Sequence, residues 1–255
     1  MFFEYLPRLR TLNCFIEPGE TYEYDRPADR KTENTLTWRN VNLELKQRHE
    51  FTLHSGHHTI RCLNCKDTLI DKHLEVKLLP CENWMELVDC WSCHKDEFAG
   101  VAKSSLSPLP ESILLGTDHF LVNPEDLSAC KCHRNSNRID LETVVIDGQS
   151  PGLESIIYAY LFELIEVHGE SRYTFTDQST SVSLHVLAWD LWAGNSISSL
   201  SPAMKIAVYP TEQQNFEHRH ESEQRIQVLL DLIHSKKKFK VNLNEQNVYT
   251  FYLLK

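Results

Sequence analysis

Two pairs of cysteines constrain this chain more than any other feature. Cys62-Leu63-Asn64-Cys65 is followed, after 24 residues, by Cys90-Trp91-Ser92-Cys93-His94. A Cys-x-x-Cys knuckle aims two thiolates at one ion while backbone N–H groups approach the sulfurs, and two such elements close a tetrahedral zinc site. Spacing alone favours Cys90 with Cys93, which gives four thiolates. His94 in place of Cys90 gives three thiolates and one imidazole. Either set fills the coordination shell, so the expected zinc is structural and lacks the open position that activates water.

The remaining cysteines decide between a metal and a disulfide framework. Eight lie at 14, 62, 65, 81, 90, 93, 130 and 132, and no Asn-x-Ser/Thr sequon occurs. The first residues, Met1-Phe2-Phe3-Glu4-Tyr5, do not read as a secretory signal, so an intracellular metal protein is expected. Cys130-Lys131-Cys132-His133 forms a second, weaker cluster: thiols one residue apart can chelate, but no partner pair lies nearby in sequence.

Apolar residues make up 41% of the 255 and charged residues 24%, with 8 Gly and 10 Pro, which excludes a disordered tail and a fibre. Apolar runs such as Ile156–Phe162 are too short to span a bilayer. The net charge of −10 argues against non-specific nucleic-acid binding, which depends on neutralised phosphates. The basic run Lys236–Lys240 reads as cations favoured by a helix C-terminus.

Organisation along the chain follows from periodicity. Residues 1 to about 60 alternate as strands and turns, with Thr35–Trp38 and Val41–Leu45 as strands. Thr59–Val76 reads as a hairpin carrying Cys62 and Cys65 near its tip, and His119–Val122 as a compact strand. Ser150-Pro151 predicts a helix start, with Ser as cap and Ile156, Ile157, Tyr160, Leu161, Leu164 and Ile165 as the apolar face ending at Gly169. Strands are expected at 172–176, 182–192, 204–209 and 247–254, and a second helix at 221–237 with Ile226, Leu229, Leu230 and Ile233 on its stripe. The fold class is therefore α+β: a β-rich, zinc-containing half over 1–130, packed on an α+β half over 131–255 with two main helices.

Enzyme signatures are missing. The sequence has no Gly-rich phosphate loop, no Gly-x-Ser-x-Gly elbow and no His-Glu-x-x-His. Cys14, Cys81, Cys90, Cys130 and Cys132 are candidate nucleophiles by residue type, yet none carries an activating neighbour in sequence. The histidines of His57-His58 and His218-Arg219-His220 read as solvent-exposed, and His119 as structural. Trp189 and Trp192 read as core residues, while Trp84 and Trp91 could be core or exposed anchors for a partner.

From Cys62 onward the chain resembles a known family. Leu78-Leu79-Pro80-Cys81-Glu82-Asn83-Trp84, then Leu87-Val88, Trp91-Ser92-Cys93-His94 and Phe98, and later Gly116–Asn123, are similar to the HECT-like ubiquitin ligase family. The helix from Leu153, the Trp189–Trp192 strand and the terminal strand follow in the family's order, so the likeness extends over most of the chain from about residue 59. The resemblance implies binding of a ubiquitin-conjugating enzyme and a structural zinc held by Cys62, Cys65, Cys93 and His94. It also implies one continuous HECT-like domain as an alternative to two halves. Members often carry a further Cys-x-x-Cys before the C-terminal half, where this chain has Cys130-Lys131-Cys132-His133.

Fungal members are linked to pre-mRNA 3′-end cleavage and polyadenylation through the pathway's metallo-β-lactamase-type endonuclease. The expected function is thus an interaction factor that binds and supports that endonuclease, in the nucleus and cytoplasm, without membrane or direct nucleic-acid contact. The alternative is a ubiquitin-protein ligase that accepts ubiquitin on a cysteine, with Cys81 and Cys90 as first suspects. No residue matches a catalytic cysteine motif, so the catalytic residue is left unassigned.

Overall fold

Period-two alternation dominates the folded chain. The computed structural model describes residues 1–17, 22, 26–45, 53–79, 108–133, 137–210, 213, 215–236, 238–243 and 246–254. Among these are sixteen strands, β1 to β16, and two α-helices, which makes the fold α+β with strands in the majority.

The chain divides into two compact units that are not consecutive: residues 51–163 form one, and residues 1–50 with 164–255 form the other. A cut along the chain at 130 falls inside the first of these.

The unit over 51–163 is built on a six-stranded sheet with strand order β10-β5-β6-β7-β8-β9. The hairpin expected over Thr59–Val76 is β5 (Gly56–Cys62) and β6 (Thr68–Leu78), with Cys65 in its turn. β7 (Ser112–Leu115) runs parallel to β6, β8 (His119–Val122) returns beside it, β9 (Arg138–Asp140) forms one edge, and β10 (Val144–Ile146) pairs with β5 at the other. Alternate residues Ile60, Cys62, Ile70, Ile113, Phe120, Val122, Ile139 and Val144 point into one core and are almost fully buried.

In the other unit, β1 (Phe2–Leu6) and β2 (Thr11–Phe15) lie between strands that are distant in sequence. With β3 (Arg30–Lys31), β4 (Thr35–Trp38) and β16 (Gln246–Leu254), the order is β15-β16-β13-β12-β1-β2-β4-β3; β11 also pairs with β12, and β14 (Glu217–His220) pairs with β11. The central strand β12 (Ser181–Gly194) is apolar on both faces. Register shifts at Val186/Ala188 and Ala188/Leu191 let it follow β13 (Ser201–Tyr209) along one side. Along its other side it takes β11 (Arg172–Thr176) first and β1 at its end.

This sheet curls. Phe15 of β2 and Phe239 of β15 (Phe239–Leu243) stand five strands apart in the order, yet their ring centres are 5.0 Å apart. Glu4, 4% exposed, sits inside the curl with Phe2, Phe15, Phe239 and Tyr252 around it. One of its carboxylate oxygens accepts from Lys205 Nζ and Tyr252 OH, each at 2.8 Å, and the other accepts from Asn13 Nδ2 at 2.8 Å. The Lys205 ammonium also lies over the Phe15 and Tyr252 rings.

Both helices occur, with boundaries shifted. α1 (Leu153–His168) begins after Gly152, whose carbonyl accepts the first helical bond from Ile156 N, so Ser150 is not the cap. All six residues of its expected apolar face are buried, and Gly169 ends it at φ +69° with its N–H on the Ile165 carbonyl. α2 (Glu223–Ser235) starts at a Ser222 cap whose hydroxyl accepts from Arg225 N, and Leu230 is only half-buried on its stripe.

Two further expectations need correction. Val41–Leu45 is not a strand: Val41 is buried and bonds the Arg10 carbonyl, but no ladder continues beyond it. Trp189 is 39% exposed instead of buried, because the irregularity of β12 between Ala188 and Leu191 carries it out of the core; Trp192 is half-buried.

Candidate metal centre

The hairpin of β5 and β6 is what aims the knuckle. Cys62 closes β5, and the turn is held by Cys62 N to the Asp67 carbonyl at 2.9 Å and Lys66 N to the Cys62 carbonyl at 3.0 Å. Leu63 N donates to the Thr143 carbonyl at 2.7 Å, which ties the turn to the segment before β10. Lys66 adopts φ 65°, the left-handed conformation that lets the chain reverse into β6.

Cys130 and Cys132 arrive from far along the chain. They lie in the connection from β8 to β9, which is pinned beside β6 by Ser128 N donating to the Leu69 carbonyl at 2.8 Å. The result is a cluster of Cys62, Cys65, Cys130 and Cys132, whose sulfurs all fall within 4.8 Å of one another. The closest pair, Cys65 and Cys130, is 3.3 Å apart. Tetrahedral zinc with Zn–S near 2.3 Å spaces its sulfurs by about 3.8 Å, so the arrangement is compatible with a metal ion.

Cys62 and Cys130 are buried, Cys65 is half-buried and Cys132 is exposed. Loss of hydration, followed by hydrogen bonds to Cys62 and Cys65, pushes the Cys132 thiol up to about 12. Four thiols in one place cannot all ionise without a cation among them; a bound divalent ion reverses this and deprotonates its ligands.

Cys62 and Cys65 therefore belong to the cluster. Cys93 and His94, the other two ligands the resemblance implies, lie outside the described residues, as do Cys81, Cys90, Trp84 and Trp91. Cys130 and Cys132 were legible as a chelating pair, but 65 residues separate Cys65 from Cys130 and only the sheet topology brings them together. His133 beside them is half-buried, and burial holds its imidazole below the usual range.

The Gly116–Asn123 stretch has a structural role. Gly116 N donates to the His119 carbonyl at 2.8 Å in the β7–β8 turn. A Cβ on Gly116 would meet the His119 ring and Leu79 at 3.1 Å, so the glycine permits this close approach. Asp118 is fully buried, with His119 Nδ1 2.8 Å from its Oδ1 and the Arg138 guanidinium 3.4 Å away. The Asn123 side chain caps the following turn, accepting from Glu125 N and donating to the Pro108 carbonyl, each at 2.9 Å. His119 is buried in this arrangement. His58, read as exposed, is held: its ring bonds Asp147 at 2.8 Å and the His54 carbonyl at 2.7 Å.

The fold and the cluster define an α+β chain whose β-rich unit carries a four-cysteine, metal-type centre. Residues 23–147, just under half of the chain, match the family described as HECT-like ubiquitin-conjugating enzyme (E2)-binding, so this segment is HECT-like. It is 29% identical over 163 residues to a mouse E3 ubiquitin-protein ligase, an alignment that covers 52% of this chain and 43% of that protein. It is 42% identical over 67 residues to the human ligase of the same name, covering 26% and 16%. An uncharacterized Schizosaccharomyces pombe protein is 26% identical over 151 residues, covering 49% and 45%. The chain covers less than half the length of each of these relatives. No solved structure matches it. No helix among the described residues is long and apolar enough to cross a membrane.

Proposed function

We propose that this chain works by binding a ubiquitin-conjugating enzyme, and that Cys62, Cys65, Cys130 and Cys132 hold one structural zinc that maintains the unit doing so. The carrying observation is coincidence in sequence: the segment matching the E2-binding family, 23–147, includes the whole six-stranded sheet and all four cysteines. A sulfur-only set of four favours zinc among the divalent ions, and a filled shell gives a structural role. The set of Cys62, Cys65, Cys93 and His94 is the competing proposal.

The ligase reading is supported by the name of the mammalian relatives. Its thioester would need an accessible thiol. Cys14 is buried, and every other described cysteine belongs to the cluster. That reading therefore depends on Cys81, Cys90 or Cys93. A thioester assay with charged ubiquitin-conjugating enzyme, run on reducing and non-reducing gels, separates the two. The expected outcome is no dithiothreitol-sensitive ubiquitin adduct on this chain; an adduct abolished by Cys81→Ser, Cys90→Ser or Cys93→Ser establishes the ligase mechanism instead.

The finer partner assignment, the 3′-end-processing endonuclease bound in the nucleus and cytoplasm, draws support from the resemblance and from the charge of −10, which complements a basic, RNA-handling partner. Co-elution of the endonuclease at physiological salt is the expected result; its absence removes this partner and leaves E2 binding standing.

A further inference from the structure

We propose that His57, His73 and Asp71, on the outward face of the β5–β6 ladder, form a second, exchangeable site for a zinc-type divalent transition ion, separate from the cysteine cluster. The register makes the set. His57 pairs directly with His73 and Thr59 with Asp71, in a stretch that is regular from Gly56↔Leu74 to Ile60↔Ile70. Directly opposed residues carry Cβ atoms about 5 Å apart, and residues two positions apart on one strand share a face. Ile60, Ile70 and Leu74 of the same strands are buried, so the face that holds His57, Thr59, Asp71 and His73 turns away from the core.

The side chains are available and nearly placed. His57 Nε2 stands 3.8 Å from Asp71 Oδ1, with the two side chains 65% and 59% exposed. Nitrogen and oxygen ligands on a tetrahedral zinc stand about 3.4 Å apart, so a small movement closes this pair on an ion. The Thr59 hydroxyl donates to Asp71 Oδ1 at 2.9 Å, which orients the carboxylate and leaves lone pairs on both oxygens. His73 is exposed and makes no hydrogen bond or ion pair among the described residues, so its ring can rotate to the ion without breaking a contact.

Donor chemistry selects the ion. Two imidazoles and a carboxylate suit zinc and its neighbours, whereas magnesium and calcium prefer oxygen alone. Three protein ligands leave room for water, so this ion is held less tightly than one closed in by four thiolates and is removed by desalting. Charge does not oppose it. Lys77 is paired with Glu75 at 3.2 Å, and Lys72, on the opposite face, is tied to Asp126 at 2.7 Å. Arg61 and Lys66 lie toward the hairpin turn, about 7 Å or more along the strands from Thr59 and Asp71. Water screens them there, against a carboxylate in contact with the ion.

The test is calorimetric titration of the full chain with Zn(II), after zinc loading and desalting, with NMR of the His57 and His73 rings. One further saturable equivalent that shifts both rings together is expected, and excess Mg(II) should leave it in place. His57→Gln and His73→Gln should each weaken this equivalent more than about tenfold, the least that losing even an outer-shell partner costs. The zinc that survives desalting should be the same in both variants, so failure of this site and failure of the cysteine assignment are read separately. Rings that do not shift, unchanged affinity in both variants, or displacement of the zinc by Mg(II) overturns the proposal.

Discussion

Asp147 shows how one side chain can hold a backbone amide and a histidine ring together. The Thr59 N–H first, and the His58 ring second, hold its carboxyl below the ordinary value of 3.8. A carboxylate depressed in the folded state stabilises above its unfolded value, and that contribution fades as pH falls through the folded one. With the side chain 48% exposed, solvent screening limits the effect to less than about 1 kcal/mol. Asp147→Asn should therefore lower stability at pH 7, and denaturant melts of variant and parent should converge as pH falls well below 3.8.

At the same scale the metal assignments diverge sharply. If the clustered thiols are the ligands, Cys132→Ser loses most of the zinc and His94→Ala keeps it, as measured by metal analysis of purified protein. Retention in Cys132→Ser together with loss in His94→Ala supports the set implied by resemblance. Sequence showed the Cys62–Cys65 knuckle because local spacing defines it. It could not show that Cys130 and Cys132 meet this knuckle, since that depends on β6, β7 and β8 lying side by side.

Among the elements, the curled sheet contains the chain's most consequential polar group. Glu4 was invisible as such in sequence: it is one acid in an apolar strand, and its partners lie at positions 13, 205 and 252. Glu4→Ala strands the Lys205 ammonium and two further donors, a loss of about 3 kcal/mol. Lys205→Met should cost about 2, because the lysine side chain keeps 23% exposure to water. Urea melts of the double variant should show a loss smaller than the sum by at least about 1 kcal/mol; full additivity would show that the two side chains are not coupled. The helices, in contrast, were legible because a 3.6-residue stripe is a local signal. The first turn of α1 was less so, since Gly152 supplies the first acceptor through its backbone and not through a side chain. Val41–Leu45 misled because alternation records burial of Val41 without recording whether a neighbouring strand exists.

Across the whole molecule, the β-rich unit that matches the E2-binding family is interposed in the chain of the other unit, whose sheet takes β1 and β2 from the N-terminus and its remaining long strands from the C-terminus. Periodicity gave the strands but not this assembly, because non-local pairing leaves no trace in a window of residues. A metal that cross-links the β5–β6 turn to the connection before β9 couples ion binding to folding of the interposed unit. The central claim is that this metal-held unit engages a ubiquitin-conjugating enzyme. The most direct measurement is calorimetric titration of a panel of these enzymes into the full chain, zinc-loaded and after chelation. Saturable binding by at least one enzyme, lost in proportion to the zinc removed, is the predicted result; no binding by any of them, or binding undiminished in metal-free protein, contradicts the account.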